Sequence, residues 1–109
     1  MVTHEERQRD AIFRAISDPT RREILGILRG GGKTVGGIAE NFRMSRPAIS
    51  KHLRLLHQTG LVAISKKGTA SICTLDALPL RQVNDWLIHY QMFWTESLQS
   101  LKKRMEEEQ

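Results

Sequence analysis

The chain of 109 residues holds a single cysteine, Cys73. One cysteine excludes an internal disulfide framework and any zinc site built on a cysteine pair, and an unpaired thiol fits a reducing, cytoplasmic setting. No apolar run approaches the roughly 18 residues that span a bilayer, and Met1 to Arg9 is too polar and charged for a secretory signal. Low-complexity tracts and internal repeats are also lacking, and the length suits one domain with a modest core. The most informative absence is a charge. Between Glu40 and Asp76 there is no Asp or Glu, while Arg43, Arg46, Lys51, Arg54, Lys66 and Lys67 all fall there. Those 35 residues carry six positive charges, and the rest of the chain has 11 Lys and Arg against 12 Asp and Glu. The formal charge of +5 therefore resides in one segment. Such an excess makes a positive surface suited to a polyanion, commonly nucleic acid; a solvated basic face without a partner is the plain alternative.

Apolar spacing and punctuation divide the chain into helices first. Ile12, Phe13 and Ile16 mark a helix over Glu5 to Ile16. Asp18 is a fitting cap for the next one and Pro19 a fitting first residue, because the missing N–H would be unpaired there. That second helix runs through Ile24, Leu25 and Leu28 and ends at Gly30-Gly31-Gly32, read as a flexible surface turn. Thr34 caps a short third helix with Val35, Ile38, Ala39 and Phe42 inward; Gly36 and Gly37 weaken it by about 1 kcal/mol each relative to alanine. A turn at Arg43-Met44 leads to Ser45, the cap of a fourth helix reaching Gln58, with Gly60 beyond its end. Two helices joined this way are a helix-turn-helix.

Two β-favouring runs follow, Leu61 to Ile64 and Ile72 to Leu75, flanking a hairpin signal at Lys66-Lys67-Gly68. Asp76 and Pro79 open a last helix from Leu80 to about Met105, roughly 39 Å long, and the tail Glu106 to Gln109 is expected to fray. The expected fold is mainly α: a winged helix-turn-helix of five helices plus a two-stranded β-wing. It forms a single domain over 1–109, with 34–58 as the helix-turn-helix, 61–75 as the wing and 79–105 as a dimerisation helix.

On a helical wheel, the fourth helix gathers Ile49, Leu53 and Leu56 on one arc and Arg46, Pro47, Ser50, Lys51 and Arg54 on another. One face packs; the other offers guanidinium, ammonium and hydroxyl groups. A major groove admits a helix of this width, and arginine matches guanine O6 and N7. Recognition helices read bases mainly through their N-terminal residues, so Ser45, Arg46, Pro47 and Ser50 are assigned to base edges, Pro47 through a thymine methyl. Lys51 and Arg54 are assigned to phosphates, Lys66 and Lys67 to a minor groove or the backbone, and Thr34 to one phosphate. His52 is read as half-buried, His57 as a surface residue, and Cys73 as a small buried apolar one. On the last helix, Leu80 to Leu87 is expected to be core. Tyr90, Phe93, Trp94, Leu98 and Leu101 need a second copy to cover them.

Ser17-Asp18-Pro19-Thr20-Arg21-Arg22-Glu23-Ile24-Leu25, and Ser45-Arg46-Pro47-Ala48-Ile49-Ser50-Lys51-His52-Leu53 continuing to Thr59-Gly60-Leu61-Val62, closely resemble the ArsR/SmtB family of small winged-helix repressors. The resemblance covers about residues 8 to 80. Phe93-Trp94-Thr95-Glu96-Ser97-Leu98 is similar to a subgroup with a long terminal helix, often encoded beside a START-type protein. The resemblance implies a homodimer on a palindromic operator, joined through the first and last helices. Phe13, Leu87, Tyr90, Phe93, Trp94, Leu98 and Leu101 would then lie in the interface. It also marks a departure. The metal-sensing branch has two cysteines where this chain has Thr34 and Gly36, and Asp85 and His89 are followed by Glu96 with no second histidine. Zinc commonly takes at least three protein ligands, so no metal and no cofactor is expected; a zinc-responsive repressor is the alternative.

Other function classes have less to stand on. No nucleophile has a plausible base, and Gly30 to Lys33 lacks the strand and the Ser/Thr of a phosphate-binding loop, so an enzyme is not expected. Phe42 is the only aromatic in the basic segment, which is poor provision for stacking RNA bases. A winged helix used purely for protein interaction would carry an uncharged recognition face.

Overall fold

Side-chain oxygens start the first four helices. In the computed structural model, which describes residues 1–108, α1 (His4–Ile16) opens on a capping box. The Thr3 hydroxyl accepts from the Glu6 N–H and the Glu6 carboxylate accepts from the Thr3 N–H, each at 3.1 Å. Asp18 caps α2 (Pro19–Leu28) by accepting from the Arg21 N–H at 3.0 Å, and Thr34 caps α3 (Val35–Ala39) through the Gly37 N–H at 3.0 Å. Ser45 caps α4 (Arg46–Gln58) through the Ala48 N–H at 3.2 Å. Each cap pairs a backbone donor that has no partner inside the helix.

The core lies where α1, α2, α3 and α4 meet the sheet. Ile12, Ile24, Ile38, Ile49, Leu56 and Leu61 are fully buried in it, with Phe42, Leu80 and Val83 packed at its edge. Phe42 lies outside α3, which is shorter than its apolar spacing suggests. The side chain of Asn41 ends that helix by donating to the Gly37 and Ile38 carbonyls at 3.1 and 3.2 Å. The turn before α4 therefore runs from Glu40 to Ser45 rather than over Arg43-Met44 alone.

The sheet has three strands where two were expected. β1 (Lys33–Thr34) pairs antiparallel with β3 (Ala70–Leu75), which pairs with β2 (Val62–Lys67), in the order β1-β3-β2. This pairing gives the glycine run a second task. A Cβ on Gly32 would stand 2.8 Å from Cγ2 of Ile72, so only glycine lets the chain approach β3 there. The hairpin turn falls at Gly68 and Thr69, one step later than the lysine pair suggests. Gly68 takes φ +66° there, while Lys66 and Lys67 stay in the ladder opposite Ser71 and Ala70.

Arg21 and Arg22 lock the junction of α1 and α2. Arg21 donates to the Ala15 and Arg14 carbonyls at 2.7 and 2.9 Å, and Arg22 to those of Ile16 and Ser17 at 2.9 and 3.0 Å. Arg21 also reaches Nδ1 of His52 on α4 at 3.3 Å, which ties α4 to this corner. The hydrogen bond from the Arg21 N–H holds the Asp18 carboxyl below its ordinary pKa, and the charges of Arg21 and His52 add to the effect. A folded-state pKa below the unfolded one stabilises the fold above the ordinary carboxylate value, and that stability is lost as pH falls through the depressed value. The melting temperature is therefore expected to fall more steeply below about pH 4 in the parent than in Asp18→Asn. Parallel acid limbs in thermal denaturation would contradict this.

The last helix, α5 (Arg81–Glu107), follows a short 3₁₀ turn (Leu78–Leu80) in which Asp76 accepts from the Leu78 N–H at 3.0 Å. It continues through Glu107, beyond the expected fraying point, and Gln109 lies outside the described residues. None of its 27 residues is buried. The expectation of core as far as Leu87 fails: packing against the buried core ends at Val83, and beyond it Trp86 meets Phe13 of α1 at the surface. The radius of gyration of the described chain, 18.5 Å, agrees with this extension; a compact chain of this length would have about 13 Å. Among the described residues no helix is long and apolar enough to cross a membrane.

Candidate nucleic-acid interface

Helix α4 separates its two faces as its sequence suggests. Ile49, Leu53 and Leu56 are buried; Arg46, Pro47, Lys51 and Arg54 are exposed, and Ser50 is half-buried between them. Among the described residues the one ion-pair contact is His52 with Asp18, at 4.0 Å. Arg43, Arg46, Lys51, Arg54, Lys66 and Lys67 therefore make no ion-pair contact among the described residues. Unneutralised cations along one flank of an exposed helix are suited to a polyanion in a groove as wide as the helix.

The hydroxyls at the edge of this face are partly engaged. Ser45 and Thr34 each use one lone pair to cap a helix, which leaves the O–H and a second lone pair for a base, and the O–H for a phosphate. The two wing lysines point apart. Successive strand residues face opposite sides, so Lys66 shares the side of Val62 and Ile64, and Lys67 that of Ala63 and Ser65. His57, exposed as expected, has Nδ1 3.0 Å from the Val62 carbonyl and so ties the end of α4 to the wing. His52 is half-buried, as expected.

Arg21 is the positioning residue that sequence reasoning leaves without a role. The available signal is a pair of arginines in the first turn of a helix, within reach of the preceding helix's free carbonyls. Cys73 is fully buried, and burial pushes its thiol pKa up, so the thiol stays protonated. Among the described residues no three His, Cys, Asp or Glu side chains converge as a metal-ligand set. Asp85 and His89 instead line an open cleft of about 630 Å³ between α1 and α5, together with Glu5, Glu6, Arg9 and Trp86.

Helix α5 presents the other large surface. Tyr90, Phe93, Trp94, Leu98 and Leu101 are all exposed, Phe93 to 72% and Leu98 to 61%. Leu87 is at the limit of exposure. Phe13 is half-buried and packs edge-on to Trp86 of its own chain, ring centroids 5.2 Å apart, and Trp86 meets Tyr90 at 5.0 Å. Ile88 and Met92, absent from the expected interface, are exposed on the far side of the helix.

The family of bacterial regulatory proteins called arsR matches residues 18–63, from the cap of α2 into β2. The chain is 42% identical over 79 residues to the transcriptional repressor SdpR of Bacillus subtilis (strain 168), covering 72% of this chain and 88% of that one. The fold superposes on the crystal structure of an ArsR family transcriptional regulator with a TM-score of 0.75 at 36% identity, covering 87% and 97% of the two chains. It also superposes on the homodimeric winged helix-turn-helix DNA-binding domain of a possible ArsR-family regulator from Mycobacterium bovis. There the TM-score is 0.61 at 25% identity, with 85% and 83% covered. With α3 and α4 as its helix-turn-helix and β2 and β3 as its wing, the chain belongs to the ArsR family of bacterial regulatory proteins.

Proposed function

We propose that the chain is a homodimeric transcriptional repressor that sets α4 in the major groove of a palindromic operator. The observation that carries this reading is the exposed flank of α4, cationic and without an ion-pair contact among the described residues. In this reading Arg46, Pro47 and Ser50 lie against base edges. Ser45 caps the helix with one lone pair and keeps its O–H and the other lone pair for the same edge. Lys51 and Arg54, a turn or two further along, lie against phosphates. Thr34 and the wing lysines lie against the backbone to either side. Because Lys66 and Lys67 point apart, one of them at most follows a given groove wall. Repression follows from occupancy: a bound dimer excludes polymerase from the same duplex. The site of action is the cytoplasm, where the DNA is, and no chemical step is required.

The dimer joins through α5 and the outer edge of α1. Two-fold symmetry would place the two α4 helices about 34 Å apart, one turn of DNA. The bare apolar stripe of α5 supports this, as does the homodimeric M. bovis relative.

Selection of bound duplexes from a random pool, with and without zinc, tests the reading; it predicts an enriched palindrome that is the same in both arms. Enrichment of nothing would overturn it, and a zinc-dependent operator would favour the metal-responsive alternative. Arg46→Ala should cost about 1–3 kcal/mol of specific affinity and blur one base position per half-site. Lys67→Ala should weaken specific and random DNA alike and reduce the slope of log affinity against log salt by about one for each phosphate no longer neutralised. A sequence-selective defect in titrations of Lys67→Ala would argue against a backbone role.

A further inference from the structure

Arg46, the first residue of α4, does not project freely. A Cβ built on Gly36, in the first turn of α3, would have three guanidinium atoms of Arg46 as its nearest neighbours: Nη2 at 3.4 Å, Cζ at 3.6 Å and Nη1 at 3.9 Å. The guanidinium therefore lies across bare backbone of the preceding helix while its residue remains exposed. That backbone is itself fixed. Thr34 caps α3 through Gly37 and, as part of β1, pairs with Ile72 of β3. The first turn of α3 is thus pinned to the wing sheet, and the wing sheet carries the surface on which Arg46 rests.

We propose that Gly36 is a positioning residue for DNA reading: the absence of a side chain there leaves a seat for the Arg46 guanidinium and fixes its approach to a base edge. The inference rests on the reading of α4 as the recognition helix and deepens it. Arginine in solution samples many rotamers and loses that freedom on binding. A guanidinium already seated beside a fixed turn loses less and presents its donor fork in fewer orientations. A glycine that weakens α3 locally is then explained by a neighbour it meets only in the folded chain. A methyl group at position 36 makes ordinary contact with the guanidinium, whereas a branched side chain takes the space that the guanidinium occupies.

The test compares Gly36→Ala, Gly36→Val, Arg46→Ala and the double variant Gly36→Val/Arg46→Ala. Each is titrated with the selected operator and with random duplex, and helicity and melting are checked in parallel. The expected result is that Gly36→Ala leaves the specific-to-random affinity ratio within about twofold, while Gly36→Val lowers it roughly 5- to 150-fold, as Arg46→Ala does. The double variant should be no worse than Arg46→Ala alone. Gly36→Leu, a stronger helix former, supplies a second bulky side chain should valine loosen α3. If Arg46→Ala lowers the ratio and neither bulky variant does, Gly36 has no positioning role. Additive losses in the double variant would overturn the inference equally. If Arg46→Ala itself leaves the ratio unchanged, the base-reading assignment of Arg46 fails instead.

Discussion

Replacing Trp94 with alanine is expected to weaken the proposed dimer by about 2–4 kcal/mol, roughly a 30- to 700-fold rise in its dissociation constant. The indole lies near the middle of α5, on the same arc as Leu87, Tyr90, Leu98 and Leu101, and is exposed within its own chain. In a symmetric interface each substitution is made twice, and a central tryptophan is the kind of anchor whose truncation dominates binding energetics. Operator affinity should fall with it, because a single half-site retains only what one α4 supplies. Folded-state stability of the separate domain should change little, since the core ends at Val83. Sedimentation at micromolar concentration is the check: an unaltered dimer would remove Trp94 from the interface. Phe13→Ala should act differently. Its ring packs on Trp86 of the same chain, so its truncation would first loosen the packing of α1 on α5 within each copy.

The second large effect lies on the buried side of α4. Ile49→Ala is expected to destabilise the fold by about 2–5 kcal/mol, the range for a buried isoleucine that leaves a cavity. Ile49 is fully buried four residues after the Ser45 cap, with Leu53 and Leu56 following on the same face. Against a total stability of about 5–15 kcal/mol for a domain, that is a large fraction. Chemical denaturation would show it as a lower midpoint with an unchanged slope. DNA affinity measured well below that midpoint should be nearly normal, because no charged residue has been touched. A large drop in affinity in a still-folded Ile49→Ala would mean that packing sets the geometry of the cationic face more tightly than its rigid helix suggests.

The features legible in the sequence are those with a local cause. Asp18, Thr34 and Ser45 stand directly before the helices they cap, and the oxygen that pairs the first N–H groups is visible in their residue type. The two faces of α4 are legible because charge and apolarity alternate with the period of the helix itself. The box at Thr3 and Glu6 has the same kind of signature, Thr-x-x-Glu, although the apolar spacing of α1 does not point to it. Other features depend on distant partners. A two-residue strand such as β1 has no periodicity to detect; it exists because Cys73 and Ile72 lie opposite. Gly32 and Gly36 look alike as helix breakers, yet one makes room for Ile72 and the other lies beside the guanidinium of Arg46. On α5, spacing identifies the apolar arc but not where the domain stops covering it, so spacing carries the core to Leu87 and the fold ends it at Val83. Lys-Lys-Gly looks like a hairpin tip, whereas the positive φ of Gly68 places the turn after the two lysines.

The most direct measurement is duplex-DNA affinity against salt concentration for the parent and for Lys51→Ala/Arg54→Ala. If the exposed flank of α4 lies along the phosphates, the double variant leaves four phosphates per dimer without their cation, and the slope of log affinity against log salt should flatten by about 3 to 4. A parallel slope, or a parent protein indifferent to duplex DNA at low ionic strength, would contradict the placement of α4 on DNA.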